Sequence, residues 1–336
     1  MMLAYKQTAL LRTGVELGVF DALAEGPASD YQVARACGLD PRGARLLLNA
    51  LAGLGLLTVG EHSFALGPDA AAHLVRGRPG YVGDMTKVMS SSWEWDALKS
   101  LPDAVRRGGT VLDWHAETPE YPYWQDFAAY AGAVAAPTAE RAATALDAWA
   151  GTRTQLRVLD VACGHGLYGF TLARHQPQAQ VWSLDWETVL AVTRQHAERL
   201  GVSDRVRTIA GDMFTTPLGG PYDVVMITNV LHHFSEDRGT ELIRRAAGVT
   251  APGGRIVLVG FTVDDRPPDL DPEPHLFSIL MLLWTFQGEV HSVRAYRRML
   301  ASSGFGEPEV LTVPSLPLRV IIAERLPEAR PPAVTG

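Results

Sequence analysis

Between Leu156 and Glu324, apolar runs of strand length alternate with stretches of helical spacing. Leu156, Val158, Leu159 and Val161 form a β-branched run with polar residues before it and glycines after it, which predicts a buried central strand ending in a tight loop. Gln180 to Leu184, Val206 to Ala210, Pro221 to Thr228 and Arg255 to Gly260 predict four more strands. Glu307 to Val313 and Leu318 to Glu324 predict a final pair joined through Pro314 and Pro317. Strands alternating with helices imply an α/β domain, a Rossmann-like parallel sheet covered on both faces. Ahead of it, Leu10, Leu11, Val15, Leu17, Val19, Phe20 and Leu23 mark one helix over 4–24, ended by Gly26-Pro27. Ser29 or Asp30 starts a second helix through Cys37, and Pro41 a third with Leu46, Leu47, Leu48, Leu51 and Leu54 on its apolar face. Leu56 to Leu66 then reads as a small hairpin, so the N-terminal region is a mainly helical winged helix. The division expected is 1–75 for this module, 76–150 for a helical linker and roof, 151–326 for the α/β domain, and 327–336 for a Pro-rich disordered tail.

Composition narrows the class. The 336 residues are 47% hydrophobic and 20% charged, with a net charge of −7, which suits a soluble protein and argues against nucleic-acid or anionic-membrane partners. The two cysteines, Cys37 and Cys163, fall in different expected domains and have no metal or disulfide spacing, which fits the cytoplasm. The start lacks signal-peptide layout, and the longest apolar run, Leu276 to Phe286, is too short to span a bilayer. A winged helix raises the possibility of DNA binding, yet Arg35, Arg42 and Arg45 are few for neutralising phosphates.

The chemistry concentrates where the first sheet strand ends. Asp160 lies near its carboxyl end, Gly164 and Gly166 follow, and a helix begins at once. Glycines admit a ligand to the backbone and a helix start offers free N–H groups, so this is a nucleotide-binding crevice. Gly164-His165-Gly166-Leu167-Tyr168-Gly169 matches the dinucleotide fingerprint, and Asp185, at the end of the next strand, can accept from ribose hydroxyls in either a nicotinamide or an adenosyl cofactor. Downstream come Gly211-Asp212-Met213-Phe214, Asn229-Val230-Leu231-His232-His233-Phe234 and Pro252-Gly253-Gly254.

Taken together and in that order, these motifs resemble the class I S-adenosylmethionine (SAM) methyltransferases. They are most similar to the small-molecule O-methyltransferases of plant phenolic (caffeic acid type) and bacterial natural-product pathways. The resemblance covers nearly the whole chain and implies a seven-stranded sheet with its last strand antiparallel, a homodimer formed through the N-terminal winged helix, and methyl transfer to a small, aromatic acceptor. It implies that the Gly164 and Gly166 loop lies along the methionine part of SAM with Asp160 ordering it. Asp185 would take the ribose and Asp212 with Met213 would bracket the adenine, and Trp186, Phe214 and Asn229 complete the expected cofactor-binding set. Ala162 and Cys163 stand where the family often has glycine.

For the acceptor, Trp93, Tyr121, Trp124 and Phe127 lie in a stretch of high aromatic density, with Met281 on the later apolar run, and the family roofs its acceptor site there. Packing of the interdomain core is the competing use of these rings. His232 falls at the family's general-base histidine, although the usual Leu-His-Asp-Trp reads Leu231-His232-His233-Phe234 here. The glutamate that orients that histidine is replaced by Gly260, and the second family carboxylate falls near Glu289. The expected proton-handling set is therefore His232, His233, Glu289 and His291, with Glu289 or His291 as partner of His232. The altered carboxylates leave N- or C-methylation, or a non-methylating SAM enzyme, as alternatives. No metal is expected, because His232, His233, His275 and His291 lack a ligand spacing.

Overall fold

The computed structural model describes residues 2–263, 267–314 and 316–327, so all but the first residue of the expected tail lies outside the described residues. The chain divides into two compact units, Met1–Asp96 and Ala97–Gly336.

In the first unit the expected single helix over 4–24 is two, Ala4–Glu16 and Val19–Ala22. Gly18 between them is left-handed at φ 71°, a conformation that ends a helix and costs glycine no Cβ clash. Asp30–Cys37 follows with Ser29 and Gln32 forming a reciprocal capping box. Asp40 caps Pro41–Gly53 by accepting from Arg42 N and Gly43 N, both at 3.0 Å. The hairpin is β1 (Leu57–Val59) against β2 (Phe64–Leu66). Its core joins Val15, Phe20, Leu23, Val33, Leu48 and Leu51. Leu46, expected on the apolar face, is exposed, because the buried stripe of its helix runs through Ala44, Leu48 and Leu51.

The second unit is built on a seven-stranded sheet. Its strands are β3 (Leu156–Val161), β4 (Ala179–Asp185), β5 (Val206–Ala210), β6 (Tyr222–Thr228), β7 (Thr250–Phe261), β8 (Glu309–Val313) and β9 (Leu316–Glu324). The order is β5-β4-β3-β6-β7-β9-β8, parallel except for β9, which pairs antiparallel with both neighbours. Pro252-Gly253-Gly254, expected as a turn, instead lies within β7 at a register shift between Tyr222 and Val224 of β6, a bulge that adds residues to one strand only.

Period-two alternation decides which layer each residue joins. Val158, Val224, Met226, Val257 and Val320 pack with helices Gly132–Ala150 and Leu167–His175 on one face. Leu159, Val225, Ile227, Leu258 and Ile321 pack with helices Glu236–Val249 and Val293–Ser302 on the other. Burying each such side chain stabilises the fold by about 1.5–3 kcal/mol before chain entropy is counted. Ahead of the sheet, Tyr123–Tyr130 and Gly132–Ala150 follow one another as two separate helices. The carboxyl ends of β3, β4, β5 and β6 meet on one edge, where open sheets of this kind bind ligands. Among the described residues no helix is long and apolar enough to cross a membrane.

Candidate active site

A cleft with about 1000 Å³ of empty space, its mouth included, opens on that edge. Its floor is made by chain that leaves the strands abruptly. Ala162 after β3 and Asn229 after β6 are both left-handed, at φ 53° and 54°, and both line the cleft. Non-glycine residues held there carry strain that persists where surrounding contacts enforce it. Gly166, at φ 71°, starts helix Leu167–His175, and a Cβ on it would collide with the Phe170 ring.

The donor side is held by hydrogen bonds from backbone to carboxylate. Gly164 N donates to Asp185 Oδ2 at 2.8 Å, and Trp186 N donates to Oδ1 at 2.8 Å. Burial pushes the Asp185 carboxyl up to about 6, against the pull of those two N–H groups. Gly169 N donates to Asp160 Oδ2 at 3.2 Å, while Oδ1 is buried without a partner among the described residues. Burial, with the nearby Asp185 charge, pushes Asp160 up to about 8, so it is mainly the neutral acid at pH 7. Thr193 Oγ1 donates to Gly164 O at 2.7 Å, and Phe214 N donates to Asp212 Oδ1 at 2.5 Å. Met213, Phe214 and Arg238 close this end, with the guanidinium 3.6 Å over the Phe214 ring.

Of the cofactor residues expected from sequence, Gly164, Asp185, Trp186, Asp212, Met213, Phe214 and Asn229 line one cleft. Asp160 and Gly166 lie outside its lining and shape the loop instead. Sequence reasoning passed over His165 and Tyr168, which also line it. Tyr168 Oη accepts from Asn229 Nδ2 at 3.0 Å, tying helix Leu167–His175 to the end of β6. His165 Nδ1 accepts from Leu167 N at 3.1 Å, and burial beside His196 lowers it to about 4. The only signal for either was its place inside the glycine motif.

The opposite side, where the acceptor is expected, is aromatic. Trp124, Phe127 and His233 line it, with the Trp124 and His233 rings 5.1 Å apart. Trp124 Nε1 donates to Ala116 O at 3.2 Å, and Phe286 N donates to Glu117 Oε1 at 2.8 Å, so the 116–127 segment is fastened to the chain following helix Pro272–Trp284. That chain passes close over the histidines. A Cβ on Gly288 would lie 2.6 Å from His232 O. Glu117 has no sequence signal and was not expected here.

Several expected acceptor-site residues stand elsewhere. Tyr121 is 2% exposed and packs on Trp114, Tyr123 and Trp124 behind the lining, and Met281 is buried at 1% on its helix. Trp93 is on helix Ser92–Ala97 at the end of the first unit and does not line the cleft. His232 does not line it either: the ring is 3% exposed, edge-on to His233 at 4.6 Å and Phe277 at 4.8 Å. Its Nδ1 is buried with no hydrogen-bond partner among the described residues. Burial, then the neighbouring His233 and His291, holds His232 well below its ordinary value. Neither expected partner reaches it. Glu289 is exposed, and the His291 Nε2–H donates to Phe234 O at 3.0 Å and Leu231 O at 3.3 Å, closing the turn Leu231–His233.

The donor set fits SAM: a carboxylate at the end of β4, a second carboxylate with flanking apolar groups after β5, and open backbone at the glycine loop, all in one cleft. Comparison with known proteins agrees. The O-methyltransferase domain model matches residues 137–306, and an O-methyltransferase dimerisation domain model matches residues 1–76. The chain is 30% identical over 342 residues to acetylserotonin O-methyltransferase of Mus musculus, covering 96% of this chain and 86% of that protein. It is 29% identical over 322 residues to the tetracenomycin polyketide synthesis 8-O-methyl transferase of Streptomyces glaucescens, covering 93% and 92%. The crystal structure of an O-methyltransferase candidate from Nostoc punctiforme superposes with a TM-score of 0.90 at 31% identity, covering 96% of this chain and 97% of that one. Human N-acetylserotonin methyltransferase in complex with SAM shares the fold, with a TM-score of 0.82 at 23% identity, covering 97% and 96%. The chain belongs to the O-methyltransferase family and is a SAM-dependent methyltransferase with an N-terminal dimerisation domain.

Proposed function

We propose that the enzyme methylates a hydroxyl group on a small aromatic molecule of natural-product type. One observation carries this reading: a single cleft joins the glycine-loop edge of the sheet to a wall of Trp124, Phe127 and His233. Flat rings stack on such walls in offset or edge-on geometry, with about 0.5–1.5 kcal/mol per aromatic pair beyond burial. Relatives named for tetracenomycin, hydroxy-methyl-naphthoate and mitomycin O-methylation support the same class of acceptor.

When bound, SAM supplies a methyl group already activated on a sulfonium sulfur. Gly164 and its neighbours would run along the methionine part, Asp185 would accept from the ribose hydroxyls, and Asp212 with Met213 and Phe214 would flank the adenine. The protein's task is then to bring the acceptor oxygen into line and keep water out. Positioning of that kind is worth about 7–11 kcal/mol when the geometry is good. The dimerisation domain supports a homodimer as the working form, and the free Cys37 and Cys163 suit the cytoplasm.

The test is incubation with methyl-labelled SAM and a panel of hydroxylated aromatic compounds. A labelled methyl ether is expected. Label moving to nitrogen or carbon, or to no acceptor while S-adenosylhomocysteine still binds, overturns the reading.

A further inference from the structure

We infer that Thr193, which lies outside the cleft lining, is a positioning residue for the cofactor: its hydroxyl holds Gly164 in the conformation that receives the amino-acid half of SAM. This deepens the proposed function and rests on its placement of the glycine loop along the methionine part.

The two hydrogen bonds on Gly164 carry the inference. The residue is left-handed at φ 54°, and glycine has no side chain to keep it in that one conformation. Two side chains from other elements hold it instead. Asp185 Oδ2 accepts from its N–H at 2.8 Å, and Thr193 Oγ1 donates to its carbonyl at 2.7 Å. Asp185 ends β4, and Thr193 lies about two turns into the helix that follows, Glu187–Arg199. One strand–helix unit therefore grips both sides of one residue.

Thr193 sends its proton away from its own helix. A threonine inside a helix can donate to the carbonyl four residues back, and Val189 O stands there at 3.2 Å. The contact with Gly164 O is shorter, although Gly164 is 29 residues away in the chain. A hydroxyl has a single proton, and the closer, loop carbonyl takes it. Cys163, where the family often has glycine, brings its Sγ to 3.7 Å from Thr193 Oγ1. A thiol donating to that oxygen leaves the hydroxyl proton directed at the loop. The methyl group adds a second contact. A Cβ on Gly166 would lie 3.0 Å from Thr193 Cγ2, so one side chain lies under both glycines. Thr193 is fully buried and does not line the cleft, so it acts on the cofactor through the loop and not by touching it.

The proposed ribose contact is held separately. Trp186 N donates to the other oxygen of Asp185 at 2.8 Å, a bond that does not involve Thr193. Loosening Gly164 therefore weakens the part of the site along the loop and spares the nucleoside end.

The experiment measures, by calorimetry, the affinity for S-adenosylhomocysteine and for 5′-methylthioadenosine, which lacks the amino-acid group. The proteins are the wild type, Thr193→Ala, Thr193→Val and Thr193→Ser. Affinity for S-adenosylhomocysteine should fall about 10-fold in the alanine and valine variants, while that for methylthioadenosine stays within about twofold. Serine keeps the hydroxyl and should bring S-adenosylhomocysteine back to within about threefold of the wild type. Valine fills the space that alanine leaves, and alanine relieves the crowding that valine brings to Gly164, so a variant that unfolds for one reason leaves the other to be read. Equal losses for both ligands would mean that Thr193 only supports the fold, and would overturn the inference. So would unchanged affinities, or a serine variant as weak as alanine. A wild type that binds neither ligand removes the SAM reading itself, a failure seen before any variant is compared.

Discussion

The two ends of the cleft are built in opposite ways. At the donor end the carboxylates are met by backbone N–H groups: Gly164 and Trp186 on Asp185, Gly169 on Asp160, Phe214 on Asp212. At the acceptor end, rings touch rings, and the two histidines make no side-chain hydrogen bond to a described residue. A site that binds one fixed cofactor gains from hydrogen bonds of one geometry. A site left to ring packing fixes a plane and leaves the position of the acceptor's polar groups open, which suits a fold reused for many acceptors.

Asp185 tests the donor end with the largest expected effect. Asp185→Ala removes both acceptors that pin Gly164 and Trp186, as well as the proposed ribose contact. Charge-assisted hydrogen bonds are worth about 1.5–3 kcal/mol each, so affinity for S-adenosylhomocysteine should fall about 100-fold by calorimetry. A change under about threefold would mean that the loop holds itself and that the contrast between the two ends is overdrawn.

Trp124 tests the acceptor end. Trp124→Leu keeps an apolar side chain but loses the plane facing His233 and the bond to Ala116 O. KM for an aromatic acceptor should rise about 10-fold while S-adenosylhomocysteine affinity stays within about threefold. If both constants move together, the two ends are one cooperative unit.

How far each end was legible follows from the same contrast. Asp160, Gly164 and Gly166 fall within seven consecutive residues, Asp185 closes one strand and Asp212 follows another by two residues, so short motifs announce them. The sheet was legible for the same reason, since β3 and β5 begin and end where their apolar runs do. The acceptor end brings together residues near 117, 124, 233 and 286, and no local pattern states that Phe286 N will meet Glu117. His232 against His233 was hidden too. Adjacent histidines carry no mark of which ring faces a cleft until the turn Leu231–His233 is fixed by His291.

Gly260 offers a smaller and sharper test. The space beside its Cα is bounded by His232 Nδ1 and the Tyr296 hydroxyl at ordinary contact distance, so a short side chain fits. Gly260→Asp places a carboxylate toward Nδ1, and an opposite charge at that range raises a histidine by about 1–3 pH units. An NMR titration of the His232 ring should show that rise. An unmoved resonance would mean that the carboxylate turned away and that the gap is not an orienting position.

A stability measurement separates Asp160 from the buried histidines by the sign of their pH dependence. His165 and His233 are lowered to about 4 from an ordinary 6.5, so the unfolded chain binds their protons first. The stability tied to them is present above about pH 6.5 and is lost as pH falls toward about 4. Asp160 runs the other way. Its folded value, about 8 against an ordinary 3.8, means that the stability tied to it is full below about pH 4 and is lost as pH rises through about 8. Asp160→Asn abolishes that loss and leaves the histidine limb intact. The melting temperature of the variant minus that of the wild type should therefore grow from about pH 4 to about pH 8, by about 5 °C or more, and level off beyond. Any constant cost of burying the amide cancels in this difference. A gap that stays flat with pH would show that Asp160 is ionised in the folded protein, its unpartnered Oδ1 served by a group that the protein's own side chains do not supply.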